Sequence, residues 1–294
     1  MKITLTGSLG NISKPLTEKL IAAGHEVTLI SSDAGKAEAI RALGATPAIG
    51  SVDDAAFLEK TFTGADAVYT MVPPNFGATD YREYISSIGQ KFAQAIRKSG
   101  VKKVVNLSSI GAHLADGTGP IKGLHDVEEI FAGLENVSVK HLRAGFFYVN
   151  FFNNIDMIRH MNILGANYGA DNTLVMVHPK DIADAAAKEL QKEFTGKSVM
   201  YVTSDERTLA EITAVLGAAI GKPELKWVQF SDEEALAGML QAGLSEVMAK
   251  IYTEMGTAVR TGVLFEDYRL HTPNTAGTVK LEDFASEFAE KFRS

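Results

Sequence analysis

Thirteen residues at the start of the chain, MKITLTGSLGNIS, carry its most informative spacing. Gly7 and Gly10 lie three apart, between a β-rich run from Ile3 to Thr6 and a helical pattern from Pro15 to Ala23 that stops at Gly24. Strand, glycine loop and helix in that order make a phosphate cradle. Gly7 permits a tight turn with unrestricted φ, Gly10 lets a pyrophosphate approach the backbone, and N–H groups at a helix start attract negative charge. Pro15 suits a first helical turn, where no N–H is needed and φ is preset. The pattern is GxxGxxS, with Ser13 where a third glycine would let helix and strand pack closely. The loop Thr6, Gly7, Ser8, Leu9, Gly10, Asn11 and Ile12 is thus the expected cofactor-binding backbone. The competing reading is a structural turn without a ligand.

A cofactor held there is selected at the tip of the second strand, which reads ISSDAGK. An acidic residue at this place bonds the adenosine ribose diol, whereas small polar or cationic residues leave room for a 2′-phosphate. Ser31, Ser32 and Lys36 favour NADP(H). Asp33, reaching the ribose, would favour NAD(H), and that alternative stays open. Ligands of an open α/β sheet bind outside the carboxyl ends of its strands. This adds Met71, Val72 and Pro73 after the fourth strand and Ser108 and Ser109 after the fifth as cofactor-binding candidates.

The elements that must position these residues alternate regularly through the first half. HEVTLIS, ATPAIG, ADAVYTMV and KKVVNLSS read as strands two to five, with helical patterns between them, the longest from about Tyr81 to Ser99. This βαβ rhythm and the right-handed crossover rule predict a doubly wound parallel α/β sheet in the order 3-2-1-4-5-6. Gly24, Gly44, Gly64 and Gly100 follow helical runs, where left-handed stops are expected. VSVKHLR is a sixth strand and GFFYVNFFNNI fits neither a clean helix nor a strand. HPKDIADAAAKEL reads as a helix, SVMYVT as a further strand, and Thr208 with Glu211 as a capping box. Residues 231–257 and the closing LEDFASEFAEKF read as helical. Residues 1–150 are expected to form the nucleotide-binding domain, with 175–204 completing its sheet. Residues 151–294 are expected to form mainly a smaller, interleaved C-terminal substrate lobe.

Composition narrows the chemistry. In 294 residues, 46% of them hydrophobic, the chain can bury a large core. A net charge of −7 argues against nucleic acid or an anionic membrane as partner. The absence of cysteine excludes disulfides, thiolate catalysis and cysteine metal sites. Seven scattered histidines show no HxH or HExxH spacing, so no metal is expected. Without a charged leader or a bilayer-length apolar run, the expected location is the cytoplasm.

Taken in order, LTGSLGNIS, ISSDAGKAEAIRALGA, GADAVYTMVPP, KKVVNLSSIGA, HDVEEIFAGLENVSVKHLRAGFFYVN and VHPKDIADAAAKEL resemble the NmrA-like family of atypical short-chain dehydrogenase/reductase relatives. The resemblance runs over most of the chain and leans to the type-2 NAD(P)H:quinone oxidoreductase branch. It implies a Rossmann fold that binds NAD(P), most often NADPH, with a smaller C-terminal substrate lobe. It also implies one of two activities, reduction or nucleotide sensing for a protein partner. Ser32 stands where many members carry arginine. In an LRPG-like element the chain has Leu142, Arg143, Ala144 and Gly145, so the proline is missing, while Asn150 matches an asparagine that often closes the element.

The YxxxK dyad of the parent superfamily, in which lysine lowers the pKa of a proton-donating tyrosine, is absent. The helix reads HDVEE instead, with His125 and Glu129 at i and i+4. An HxxxE pair is within the habit of the quinone-reductase-like branch, and the two are the candidate catalytic residues. Their bland reading is a surface pair on one helix face. A quinone accepts hydride with little help, so positioning dominates. Phe146, Phe147, Tyr148 and Phe151 could line a slot for a flat substrate, and Asn150 could bond an oxygen. Core packing is the alternative role for these rings. The sequence thus supports an NAD(P)H-dependent oxidoreductase acting on a quinone or similar electron-poor small molecule, or a non-catalytic NAD(P)-sensing regulator. The Met- and Ala-rich stretch from Glu233 to Met255 leaves open a homodimer face or a lid.

Overall fold

A computed structural model describes residues 1–271 and 277–294. The first half runs β1 (Lys2–Leu5), α1 (Ser13–Ala22), β2 (Glu26–Ser31), α2 (Ala37–Ala42), β3 (Thr46–Ile49), α3 (Ala55–Phe62) and β4 (Ala67–Thr70). It continues with α4 (Tyr81–Ser99), β5 (Lys103–Ser109), α5 (Lys122–Ala132) and β6 (Ser138–Ala144). The second half holds β7 (Phe146–Phe147), α6 (Ile155–Met161), β8 (Ile163–Ala166), β9 (Thr173–Val177), α7 (Pro179–Gln191) and β10 (Lys197–Val202). It closes with β11 (Asp205–Thr208), α8 (Leu209–Ala219), β12 (Lys226–Gln229), α9 (Asp232–Gln241), α10 (Glu246–Thr261), α11 (Glu266–Leu270) and α12 (Leu281–Arg293). No described helix is long and apolar enough to cross a membrane.

The main sheet has the order β10-β6-β5-β4-β1-β2-β3. The first six strands thus take the expected order, and β1 pairs in parallel with both β2 and β4. Residues of the central strands are apolar almost without interruption, because helices cover both faces of such a sheet. Leu5, Leu29, Val68, Val104 and Val105 are all fully buried or nearly so. Each such side chain contributes about 1.5–3 kcal/mol over its exposed state. Helix α4 begins where Asp80 accepts from the Glu83 N–H at 2.9 Å, and it stops at Gly100, which is left-handed with φ +78°. Its buried stripe, Ile85, Ile88, Phe92 and Ile96, keeps helical spacing.

The chain forms two compact units. The first comprises residues 1–109, 123–143 and 182–200, and the second residues 110–122, 144–181 and 201–294. Unit 2 contains a three-stranded sheet, β11-β9-β7, and a two-stranded one, β12-β8. The aromatic stretch after β6 resolves into β7, a 3₁₀ run from Tyr148 to Asn154, and α6. Thr208 and Glu211 make the expected capping box of α8. The helical reading of 231–257 needs correction. Gly243 turns at φ +91° and the Ser245 hydroxyl accepts from the Met248 N–H at 3.3 Å, so α9 ends and α10 begins anew.

One buried polar chain crosses the apolar layers of unit 1. Thr70 on β4 donates to Asn106 Oδ1 on β5 at 2.8 Å, and Asn106 Nδ2 lies 3.1 Å from His141 Nδ1 on β6. The geometry assigns Nδ1 as acceptor and leaves the imidazole neutral. Burial pushes His141 below its ordinary pKa, opposed by the charge of Glu128. A histidine whose folded pKa is depressed binds its proton more readily when unfolded, so it costs stability as pH falls through the ordinary value near 6.5. Replacing His141 by Gln should therefore flatten the fall in urea midpoint between about pH 7 and 5.5 relative to the parent; an unchanged slope would show that His141 contributes nothing to it.

Candidate nucleotide site in the first unit

The loop after β1 is built around one tight contact. Gly7 has φ +99°, and a Cβ on it would lie 2.3 Å from Ser13 Oγ and 2.7 Å from Met71 Sδ. Strand end, helix start and β4 tip thus converge where only glycine fits. Ser13, in place of the third glycine, is buried and donates to the Thr6 carbonyl at 2.8 Å. Its hydroxyl supplies by hydrogen bonding the close helix-to-strand approach that a glycine would supply by small size. Thr6 extends the tie: its hydroxyl donates to the Met71 carbonyl at 3.2 Å and accepts from the Met71 N–H at 2.8 Å. At Gly10 a Cβ would stand 3.0 Å from the Gly7 carbonyl, which accepts the Gly10 N–H at 3.2 Å.

No side chain caps α1, whose N-cap residue is Ile12. The Lys14 N–H donates to the Gly10 carbonyl at 3.1 Å and Pro15 has no N–H, so at this start it is the N–H groups ahead of Lys14 that an anion could meet. Leu9 is half-buried, Gly10 and Asn11 are exposed, and Ile12 is packed inside. Ser8 adopts the left-handed region at φ +52°, which costs a residue with a Cβ about 1–2 kcal/mol. Two bonds hold it there: its N–H donates to the Ile30 carbonyl at 3.1 Å and its hydroxyl to Ser31 Oγ at 2.9 Å.

That last bond decides what the β2 tip can offer. Ser31 Oγ accepts from Ser8 and from the Asp33 N–H, and donates to the Asp33 carbonyl at 3.3 Å. It is buried and its bonding capacity is used within the protein. Ser32 and Lys36 are exposed. Asp33 caps the short turn that follows, its carboxylate accepting from the Gly35 N–H at 2.8 Å and lying 4.0 Å from Lys36 Nζ. Met71, Val72 and Pro73 follow β4 as half-buried residues, and the Tyr84 hydroxyl donates to the Pro73 carbonyl at 2.9 Å.

At the end of β5, Ser109 is half-buried and Ser108 is buried. Ser108 donates to Glu128 Oε1 at 2.5 Å. Glu128 in turn receives Arg143 Nε at 3.1 Å and Nη2 at 2.6 Å, a buried bidentate pair. Sequence reasoning singled out His125 and Glu129 on α5 and missed Glu128. His125 is half-buried and Glu129 exposed, whereas Glu128 shares the inward face with Val127 and Phe131. Its place inside that apolar stripe was the available signal.

The proposed substrate residues lie in unit 2. Tyr148 is 0% exposed and stacks on Phe284 at 5.2 Å between centroids and 15° between planes. Its hydroxyl has no hydrogen-bond partner among the described residues, and burial raises its pKa well above the ordinary value. Phe151 packs beside Phe146 at 5.1 Å within the same core. Phe146 and Phe147 are half-buried, and Asn150 is exposed. These three are the members of the set with surface to offer a ligand.

Residues 7–135 match a family model described as NAD(P)H-binding. The parallel sheet with its flanking helices is a Rossmann-like fold. Among solved structures, the chain is similar to NADPH-dependent quinone oxidoreductase QOR2 of Escherichia coli complexed with NADPH. That likeness has TM-score 0.83 and 20% identity over 97% of this chain and 99% of the other. Triphenylmethane reductase of Citrobacter sp. gives TM-score 0.80 at 20% identity, covering 99% and 100%. A nucleoside-diphosphate-sugar epimerase of Staphylococcus aureus gives 0.77 at 17%, covering 97% and 100%. At these identities the likeness is one of fold. Among curated proteins, the uncharacterized protein C2A9.02 of Schizosaccharomyces pombe is 37% identical over 68 residues. The chain spans 23% of that relative's length. The NmrA-like resemblance read from the sequence agrees with the family model and the structural matches.

Two substitutions test the junction. Gly7→Ala should abolish nucleotide binding in calorimetry, since it meets both a left-handed φ and two clashing neighbours. Ser13→Ala should keep the fold and lower stability by about 1 kcal/mol through the lost bond to Thr6, read as a smaller urea midpoint; a neutral result would dismiss that bond as a tie.

Proposed function

We propose that the chain is an NADPH-dependent oxidoreductase that reduces a quinone or a similar small, electron-poor acceptor. The observation that carries this reading is the cradle of unit 1: Gly7 turns the chain at φ +99° where a Cβ would strike Ser13 and Met71, before a helix start that has no side-chain cap among the described residues. A pyrophosphate fits both features. The quinone oxidoreductase and the triphenylmethane reductase to which the chain is similar in fold support the acceptor class.

Preference for the 2′-phosphorylated cofactor follows from Asp33. One of its carboxylate oxygens accepts from the Gly35 N–H at 2.8 Å, which turns the acid toward its own turn and away from the place of a ribose diol. Ser32 and the Lys36 ammonium remain as donors toward a phosphate, and Ser31 holds the tip in place from beneath through Ser8. Bound NADPH supplies a hydride. The protein's part is to fix the nucleotide by the residues 6–12 backbone and to keep the β4 and β5 ends, Met71 and Ser108, rigid through Thr6 and Glu128. The reduced acceptor then takes its proton either from water or from His125, half-buried on α5.

One observation favours the sensor reading. The carboxylate that α5 buries, Glu128, is paired with Arg143 and bonded by Ser108, and Glu129 is exposed to water. Calorimetric titration of nucleotide-stripped protein with NADPH and NADH, followed by NADPH oxidation with a quinone panel, separates the two. The expected result is tighter NADPH binding with turnover; NADPH binding without turnover supports the sensor, and binding of neither overturns both. Lys36→Ala should weaken NADPH about tenfold, the loss of one charge-assisted contact, and leave NADH unchanged.

A further inference from the structure

The loop that leaves β4 shows one side chain that packing does not explain. Phe76 is 57% exposed, the one aromatic among the described large hydrophobics that are left exposed. The loop around it is fixed. Pro73 is anchored by the Tyr84 hydroxyl, Asn75 Oδ1 accepts from the Gly77 N–H at 3.2 Å, and the Asn75 carbonyl accepts from the Ala78 N–H at 3.1 Å. Asp80 then caps α4. A turn built this firmly holds the ring in water, where it forfeits most of the stabilisation its burial would give.

The position gives that exposure a purpose. The loop begins at Met71, whose side chain packs against Gly7 and whose backbone is bonded to Thr6, so Phe76 stands at the carboxyl ends of the strands, the ligand end of the sheet. The β2 tip lies on the other side of β1 in the sheet order and serves the adenosine half. The β4 side is left for the reacting half. We infer that Phe76 is a substrate-contact residue, a stacking platform that selects planar aromatic acceptors. This rests on the oxidoreductase reading above and deepens it by naming what the acceptor must look like.

The test compares Phe76→Ala, Phe76→Leu and Phe76→Trp with the parent, using 1,4-benzoquinone and 1,2-naphthoquinone with NADPH. An aromatic contact is worth about 0.5–1.5 kcal/mol beyond area burial. Phe76→Ala should therefore raise KM for the naphthoquinone about three- to tenfold, and less for the single-ring quinone, with kcat and NADPH affinity unchanged. Phe76→Trp should restore the parent KM and Phe76→Leu should not. Equal KM values across all variants overturn the inference, and so does a loss confined to NADPH affinity, which would hand the ring to the cofactor. If the parent binds NADPH but reduces neither quinone, the oxidoreductase reading fails first. Phe76→Trp in a Trp227→Phe background then still decides the contact: saturable quenching by naphthoquinone in the presence of NADP⁺ supports it, and linear collisional quenching refutes it.

Discussion

Everything at the ligand end of unit 1 depends on how closely α1 can approach β1. The approach is set by a glycine that yields space and a serine that fills it: Gly7 leaves room for Ser13 Oγ, and Ser13 bonds the carbonyl of Thr6. Thr6 passes the constraint to β4 through two bonds with Met71, and Ser8 passes it to β2 through Ser31. Three strand tips are thereby fixed by four hydroxyls, each making bonds worth about 1 kcal/mol. The fixing is local and cheap, yet it sets where a pyrophosphate, a ribose and an acceptor could each be held.

Much of this was legible in the residues. The first six strands and their order follow from β-branched runs alternating with helical ones, a pattern buried on both faces and therefore hard to misread. The glycine loop was legible for the same reason, since few residue types meet its steric demands. What escaped were features set by tertiary neighbours. That Ser31 is saturated and Ser32 free depends on a left-handed Ser8, which no pattern announces. Glu128 was passed over because a carboxylate on a helix reads as surface until its partner, Arg143 on another element, is known. In unit 2 the strands are two to five residues long, too short for a period to register, and the split between α9 and α10 turns on one left-handed glycine.

The charged pair of α5 and β6 shows how a departure from a familiar dyad can leave the surrounding architecture intact. Breaking a buried pair by removing one partner costs several kcal/mol. Glu128 and Arg143 are therefore bound to each other's presence whatever chemistry occurs nearby, and Ser108 is drawn into the same arrangement as donor. A helix so committed constrains which neighbouring positions remain free to vary. His125 and Glu129 lie outside that pair.

Neither unit is a continuous piece of chain. Unit 1 is assembled from residues 1–109, 123–143 and 182–200, and its sheet ends on β10, which pairs beside β6. A ribosome delivers the strand that closes that sheet, β10, long after the glycine loop. During synthesis the nascent β6 edge therefore waits, unpaired, while residues 145–196 emerge, and an open edge of this kind invites pairing with other chains. The same threading means that a truncated gene ending near residue 150, at the boundary a sequence would suggest, would yield a sheet lacking its last strand.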